Sequence, residues 1–369
     1  MNILLLNWRD MKNQWSGGAE IYVTELAKRW VTMGHQVTFF CGQNYLHNLP
    51  PEETIDGIKI IRRGGRYTLY LWFIWYYFTR FRGRFDIIVD SVNGIPFFTP
   101  LFASEPVVAL LFHVHDMQFF IELPFPMSVV GYAIERYVFP LVYKKNHLVA
   151  ISSTTKWDLV RLGLSEDQIK IVYPGVDHVN HQLPKSRIRK FSRPTILYLG
   201  KIKKYKRVDL LVKFMPEILQ HVPKARLLIA GWGTDGPYLA DASMQSEVRK
   251  RVKILGPVSE SEKRSLMSSS WVCANPSLHE GWGIPVIEGN LYGTPSVAFR
   301  VPGLAESIKD GTTGLLADTD EEFIHSLIEV LTNSQLRRRL EAAARPWAAN
   351  FTWDKSAKQF ITLIKSQLK

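Results

Sequence analysis

Cysteine is scarce in this chain. Its 369 residues hold two, Cys41 and Cys273, far apart in sequence. That argues against a disulfide scaffold and fits a reducing compartment. Long apolar runs are also missing, since no stretch reaches the ~18 residues that a membrane-spanning helix needs. The opening MNILLLNWRD has a short apolar run and no basic leader, so it is expected to be a buried first strand and not a signal peptide. Negative charge is in deficit. With 34 Asp and Glu against 46 Lys and Arg, the formal charge is +12. Such an excess favours an anionic partner: nucleic acid, anionic lipid or a phosphorylated substrate. The length suffices for two domains with sizeable cores.

Two halves of the sequence begin alike. The first opens with strand NILLLNW, a glycine loop at Ser16-Gly17-Gly18 and a helix over 19–33, whose apolar positions follow helical spacing up to a stop at Gly34. The second opens with strand TILYLG, a basic loop from Lys201 to Arg207, a helix over 209–219 and strand ARLLIAG. Further strands are expected at 86–90, 107–112, 147–152, 252–256 and 296–299, with helical segments between them. This alternation predicts one doubly wound parallel sheet per half. The polar, basic, proline-bracketed stretch between the halves places a linker at 181–193, with an N-terminal domain over 1–180 and a C-terminal domain over 194–349. Ligands of such sheets bind at the carboxyl ends of the strands, so two facing sheets would form an interdomain cleft.

The densest chemistry lies at 276–295, PSLHEGWGIPVIEGNLYGTP. Glu280 and Glu288 flank the turn Gly281-Trp282-Gly283, followed by Ile284 and Pro285. Glycine lets a backbone approach a ligand closely. Proline suits a first helical turn, where its missing N–H costs nothing. A helix beginning here aims free N–H groups at an anion. An anion site flanked by two hydroxyl-binding carboxylates is what a nucleotide sugar requires.

These residues carry a resemblance. Segment 276–295 resembles the signature of retaining glycosyltransferases of family four, whose GT-B fold has two Rossmann-like doubly wound domains facing an interdomain cleft. SGGAE at 16–20, His113 in FHVHD, YPGVD at 173–177 and LGKIKKYKRVDLL at 199–211 are similar to other motifs of that family and occur in its order. The resemblance implies that Glu288 binds the donor's ribose, that Glu280 and His113 contact the transferred sugar, and that Lys201 and Lys206 neutralise the diphosphate. It further implies main-chain contacts from Gly17 and Gly18 and from Gly281, Trp282, Gly283 and Ile284. Lys201 stands where the family commonly has Arg, so a point charge replaces a bidentate guanidinium, with Lys203 and Arg207 as substitutes. Fixed cations there lower the barrier by stabilising charge on the leaving diphosphate. The implied reaction is retaining, by front-face attack, and uses neither metal nor cofactor, since the nucleotide sugar is a substrate. A helix over about 350–369 would pack back onto the N-terminal domain. The alternatives are a nucleotide-sugar epimerase or sugar phosphorylase on the same fold, and a non-catalytic basic binding module.

Other patterns have plainer readings. Gly231, Gly233 and Gly236 spell G-x-G-x-x-G, but the next strand ends in Gly256 and not in the acid of a dinucleotide site. It reads as a strand–loop near the nucleotide. Asp318-Thr319-Asp320 resembles a metal motif, although helix capping explains it. His113 and His115 alternate, so on a strand they would point to opposite faces and not share a metal. Segment 66–84, RYTLYLWFIWYYFTRFRGR, is aromatic and flanked by arginines. It is either a buried helix or an interfacial one on an anionic membrane. The second reading makes the protein peripheral on the cytoplasmic face of the plasma membrane, with a glycan or lipid-linked acceptor in cell-envelope polysaccharide or glycolipid synthesis. A nucleic-acid role is disfavoured, because the aromatics cluster with apolar residues and do not interleave with a basic groove.

Overall fold

A computed structural model describes residues 1–43, 49–177, 190–233, 239 and 246–368. The chain divides into two compact units, Met1–Gly175 with Thr352–Lys369, and Val176–Phe351. Most of the stretch expected as a linker, and Gly236 of the glycine pattern, lie outside the described residues.

The first unit runs β1 (Asn2–Leu6), α1 (Gly18–Thr32), β2 (Gln36–Cys41), β3 (Glu52–Ile55), β4 (Ile58–Arg62), α2 (Leu69–Tyr76), β5 (Ile87–Val92), β6 (Val107–Leu111), α3 (Met127–Ala133), α4 (Phe139–Tyr143), β7 (His147–Ala150), α5 (Ser153–Arg161) and β8 (Ile169–Ile171). Its sheet has the order β3-β4-β2-β1-β5-β6-β7-β8. β3 pairs antiparallel with β4 at one edge, and the other pairs are parallel. β1, buried from Ile3 to Leu6, is covered on both faces and so reads as a continuous apolar run. The helix Trp353–Gln367 belongs to this unit and packs on α1, with the Trp30 and Phe360 rings 5.2 Å apart.

The second unit runs β9 (Thr195–Leu199), α6 (Val208–His221), β10 (Arg226–Ala230), β11 (Val252–Gly256), α7 (Glu260–Ser269), β12 (Val272–Asn275), α8 (Ile284–Leu291), β13 (Ser296–Phe299), α9 (Pro302–Ser307), β14 (Gly314–Ala317), α10 (Asp320–Thr332) and α11 (Ser334–Ala348). Its sheet, β11-β10-β9-β12-β13-β14, is parallel throughout. Both units are therefore Rossmann-like, as the alternation of elements predicts. In the second, the chain leaves β9 toward β10 on one side and later returns to lay β12 on the other. The loops after β9 and β12 thus diverge at a topological switch point, where sheets of this kind bind ligands.

Candidate active site

Those two loops are tied together three times. The Lys206 ammonium pairs with the Glu280 carboxylate. Arg207 donates from Nε to the Pro276 carbonyl at 2.9 Å, and the Leu278 N–H donates to the Tyr205 carbonyl at 2.8 Å. Ser277 Oγ adds a bond to Glu280 Oε1 at 2.9 Å. The Lys206 and Glu280 side chains are 15% and 13% exposed. Burial alone lowers the Lys206 pKa, but Glu280, Tyr205 and Tyr198 outweigh it and hold the ammonium above the usual lysine range. Lys206 is thus a fixed cation with one face given to Glu280.

Arg207 is not a spare cation for the anion site. It caps α6 in the left-handed region (φ 47°), and its guanidinium lies 4.3 Å from the Phe299 ring centre. Lys203 Nζ sits 5.7 Å from the Tyr205 ring centre. Lys201 lies just past β9, and its carbonyl accepts from Tyr198 Oη at 2.6 Å.

Past Glu280 the backbone turns through Gly283 (φ 85°) into α8, where Ile284 is the first residue and Pro285 follows it. Gly283 caps α8 without a side chain, leaving the helix's first N–H groups to other partners. Glu288 stands one turn further on, salt-bridged to Lys263 of α7 at 2.8 Å. Burial raises the Glu288 carboxyl pKa, and Lys263 opposes the rise without cancelling it. The Trp282 side chain is buried. Its indole is 2% exposed and packs on Phe351 with ring centres 5.0 Å apart, so this position can serve a ligand only through its main chain.

A contributor that sequence reasoning missed is Gly303, at the start of α9. A Cβ there would stand 2.0 Å from the Glu280 carbonyl oxygen. α9 thus backs the Glu280 loop at a distance only glycine permits. Gly231 and Gly233 have the same explanation, since added Cβ atoms would stand 1.8 Å from the Gly200 oxygen and 1.9 Å from the Ile202 oxygen. Backbone contact with the loop after β9 is reason enough for these glycines. Asp318 pairs with Arg300, while Thr319 caps α10 and Asp320 occupies its first turn.

In the first unit, Gly17 caps α1, and Gly18 is its first residue. The Gly17 N–H is engaged at 2.7 Å by Glu20, whose buried carboxylate also faces Arg9 at 3.4 Å. The expected geometry of the histidines is corrected here. β6 ends at Leu111, so His113 and His115 lie in the following loop, where strand alternation does not apply, and their rings lie side by side with centres 4.1 Å apart. Glu135 fastens that loop by accepting from the His115 N–H at 2.9 Å and the Asp116 N–H at 2.8 Å, and by contacting His115 Nδ1 at 3.0 Å. His115 is therefore part-exposed and in polar contact with Glu135, and not a core histidine.

Two Rossmann-like parallel sheets, one with an ion-paired lysine and a glycine-capped helix at its switch point, define the fold class. Comparison with known proteins narrows this. A family model described as glycosyl transferases group 1 matches residues 182–347, and one described as Glycosyltransferase Family 4 matches residues 16–180. The chain belongs to this family-four-like group of glycosyltransferases. An uncharacterized glycosyltransferase of Methanocaldococcus jannaschii is 25% identical over 99% of this chain and 98% of its own length. D-inositol 3-phosphate glycosyltransferases of Corynebacterium efficiens and a Nocardioides species are 28% and 29% identical, over 53% and 54% of this chain and about half of their own length. HepE from Anabaena, solved in complex with UDP-glucose, superposes with a TM-score of 0.77 at 16% identity, covering 99% of this chain and 100% of HepE. WaaG, a glycosyltransferase involved in lipopolysaccharide biosynthesis, gives 0.76 at 19% identity, covering 98% of this chain and 99% of WaaG. These likenesses establish the GT-B fold.

Proposed function

We propose that the chain transfers a sugar, with retention of configuration and without a metal, from a UDP- or GDP-sugar to a glycan or lipid-linked acceptor. The carrying observation is the Lys206–Glu280 pair at the switch point, beside the glycine-capped start of α8. In this reading the second unit holds the donor and the first serves the acceptor. Glu288 accepts from the ribose hydroxyls, releasing Lys263. The N–H groups around Gly281, Gly283 and Ile284 meet the sugar and diphosphate. Lys206 and Lys201 stabilise charge on the leaving diphosphate, where a preorganised cation counts most. Glu280 both orients Lys206 and contacts the transferred sugar. Gly17, Gly18 and His113 keep the roles that the family resemblance implies.

The acceptor oxygen bonds to the anomeric carbon on the face that the diphosphate leaves. A leaving-phosphate oxygen takes the acceptor's proton. HepE, solved with UDP-glucose, supports a nucleotide-sugar donor by analogy, and WaaG supports a role in the cell envelope. The aromatic segment 66–84 and the charge of +12 support a peripheral enzyme on the cytoplasmic leaflet.

The test is transfer from screened nucleotide sugars to candidate acceptors, following free nucleoside diphosphate and the anomeric configuration of the product by NMR. A product with the donor's configuration is expected. Inversion contradicts the mechanism, while epimerised donor or sugar phosphate in the absence of acceptor assigns the chain to another reaction of the same fold.

A further inference from the structure

The first unit has an exposed apolar face larger than segment 66–84. α2 is apolar on all sides, a pattern that ordinarily means full burial. Phe73 and Tyr76 are indeed buried, but Leu71 is 68% exposed and Trp75 49%. A second stretch, 117–141, repeats this arrangement. Phe119 and Phe139 face the core, whereas Phe120, Val130, Tyr137 and Leu141 face outward. Among the described residues of the second unit, the exposed large apolar side chains are Ile254 and Leu278, on different elements.

Sheet topology puts both stretches on one side. The crossover carrying α2 steps from β4 toward β5, and that carrying α3 and α4 steps from β6 to β7 in the same direction, while α1 steps the opposite way. Right-handed crossovers then place α2, α3 and α4 on one face of the sheet and α1 on the other. The shared core agrees, since Phe73, Tyr77, Phe139 and Tyr143 belong to one buried cluster. The outer surfaces also meet. Tyr67 Oη lies 3.9 Å from Met127 Sδ at the start of α3. At the other end the Phe78 and Phe102 rings are 6.0 Å apart, and Leu141 lines a recess with Pro100 and Ala103.

Charge decides what covers this face. Arg66, Arg80, Arg82 and Arg84 are exposed, and among the described residues none of them pairs with a carboxylate. Arg80 and Arg82 lie instead over aromatic rings, Arg80 5.0 Å from the Tyr76 ring centre and Arg82 6.0 Å from that of Phe78. Arg136, Lys144 and Lys145 extend the cationic rim along the second stretch. Exposed aromatics ringed by unpaired arginines match the bilayer interface, where rings sit at headgroup depth and each cation near an anionic leaflet contributes about 1 kcal/mol.

We infer that the outer face of α2, α3 and α4 is a single, two-segment docking surface for an anionic membrane, in which 117–141 contributes as much as 67–80. This deepens the membrane part of the proposed function. The experiment is co-sedimentation of the full chain with phosphatidylglycerol-containing vesicles and with pure phosphatidylcholine vesicles. Trp72→Ser/Trp75→Ser and Tyr137→Ser/Leu141→Ser alter only exposed positions, and circular dichroism and the thermal midpoint verify their folding. Each pair is expected to weaken binding to anionic vesicles about tenfold, with little binding to neutral ones. Unchanged binding by the Tyr137→Ser/Leu141→Ser protein overturns the two-segment surface. Dimerisation of the native chain through this face, abolished by the same substitutions and with no vesicle binding, assigns it to a second copy and also overturns the inference. Nucleotide-sugar titrations on the same proteins keep the readings apart: lost vesicle binding with intact donor binding supports the surface, and absent donor binding in the native chain counts against the enzymatic reading alone.

Discussion

Lys206 and Glu280 lie 74 residues apart in sequence and form an ion pair that joins the loop after β9 to the loop after β12. One partner comes from each side of the switch point, so the pair fixes both walls of the candidate donor site at once. Lys206→Met keeps the side chain's bulk and removes its charge. If the lysine stabilises the leaving diphosphate, kcat falls by ~10²–10³ while the donor Kd changes far less. Steady-state kinetics with a separate donor titration read the difference, and a loss confined to KM would make Lys206 a ground-state binder.

Gly303→Ala tests the backing of the Glu280 loop. Its Cβ would overlap the Glu280 carbonyl, so α9 or the loop must shift. Overpacking of this kind costs ~1–3 kcal/mol of stability. Donor affinity is expected to fall as well, because the Glu280 loop is displaced. Denaturant melts and donor titration check both effects.

Trp282 is expected to act through packing. Removing its buried indole, as Trp282→Ala, should destabilise the second unit by ~3–5 kcal/mol, and Trp282→Phe by less. If Trp282→Ala weakens donor binding while leaving stability intact, the side chain contacts ligand after all.

Much of this was legible in the sequence. Apolar runs marked the parallel strands because both faces of each sheet are covered, and Gly283 and Pro285 marked the start of α8. The β3–β4 hairpin went unseen even though Asp56-Gly57, both at positive φ, is a hairpin-turn signal between flanking isoleucines. Glu135 and Lys263 were hidden for a different reason. Each acts on a partner brought close only by the fold, His115 and Glu288 respectively. Strand alternation does not extend to His113 and His115, because β6 ends at Leu111 and the loop beyond it brings their rings together. Core and interface are alternatives for segment 66–84 in the sequence, but its helix, apolar on all sides, buries Phe73 and exposes Trp75.

Lys190 gives a pH signature. Burial lowers its pKa to about 8, although its ammonium bonds Thr294 Oγ1 at 2.8 Å and the Ser270 carbonyl at 2.9 Å. The unfolded lysine titrates near 10.4, so between these values the unfolded state binds the extra proton and stability gains a rising contribution with pH. Melts from pH 7.5 to 10 should show that component in the native chain and lose it in Lys190→Met. Identical pH slopes would contradict the assignment.

The most direct test of the donor site is calorimetric titration of UDP-, GDP- and dTDP-sugars into the native chain and into Glu288→Ala. The ribose role predicts that at least one nucleotide sugar binds the native protein and that the substitution weakens it by ~1.5–3 kcal/mol, more than tenfold, by removing a charged hydrogen-bond acceptor. Equal dissociation constants for the two proteins, or no binding by any nucleotide sugar, would contradict it.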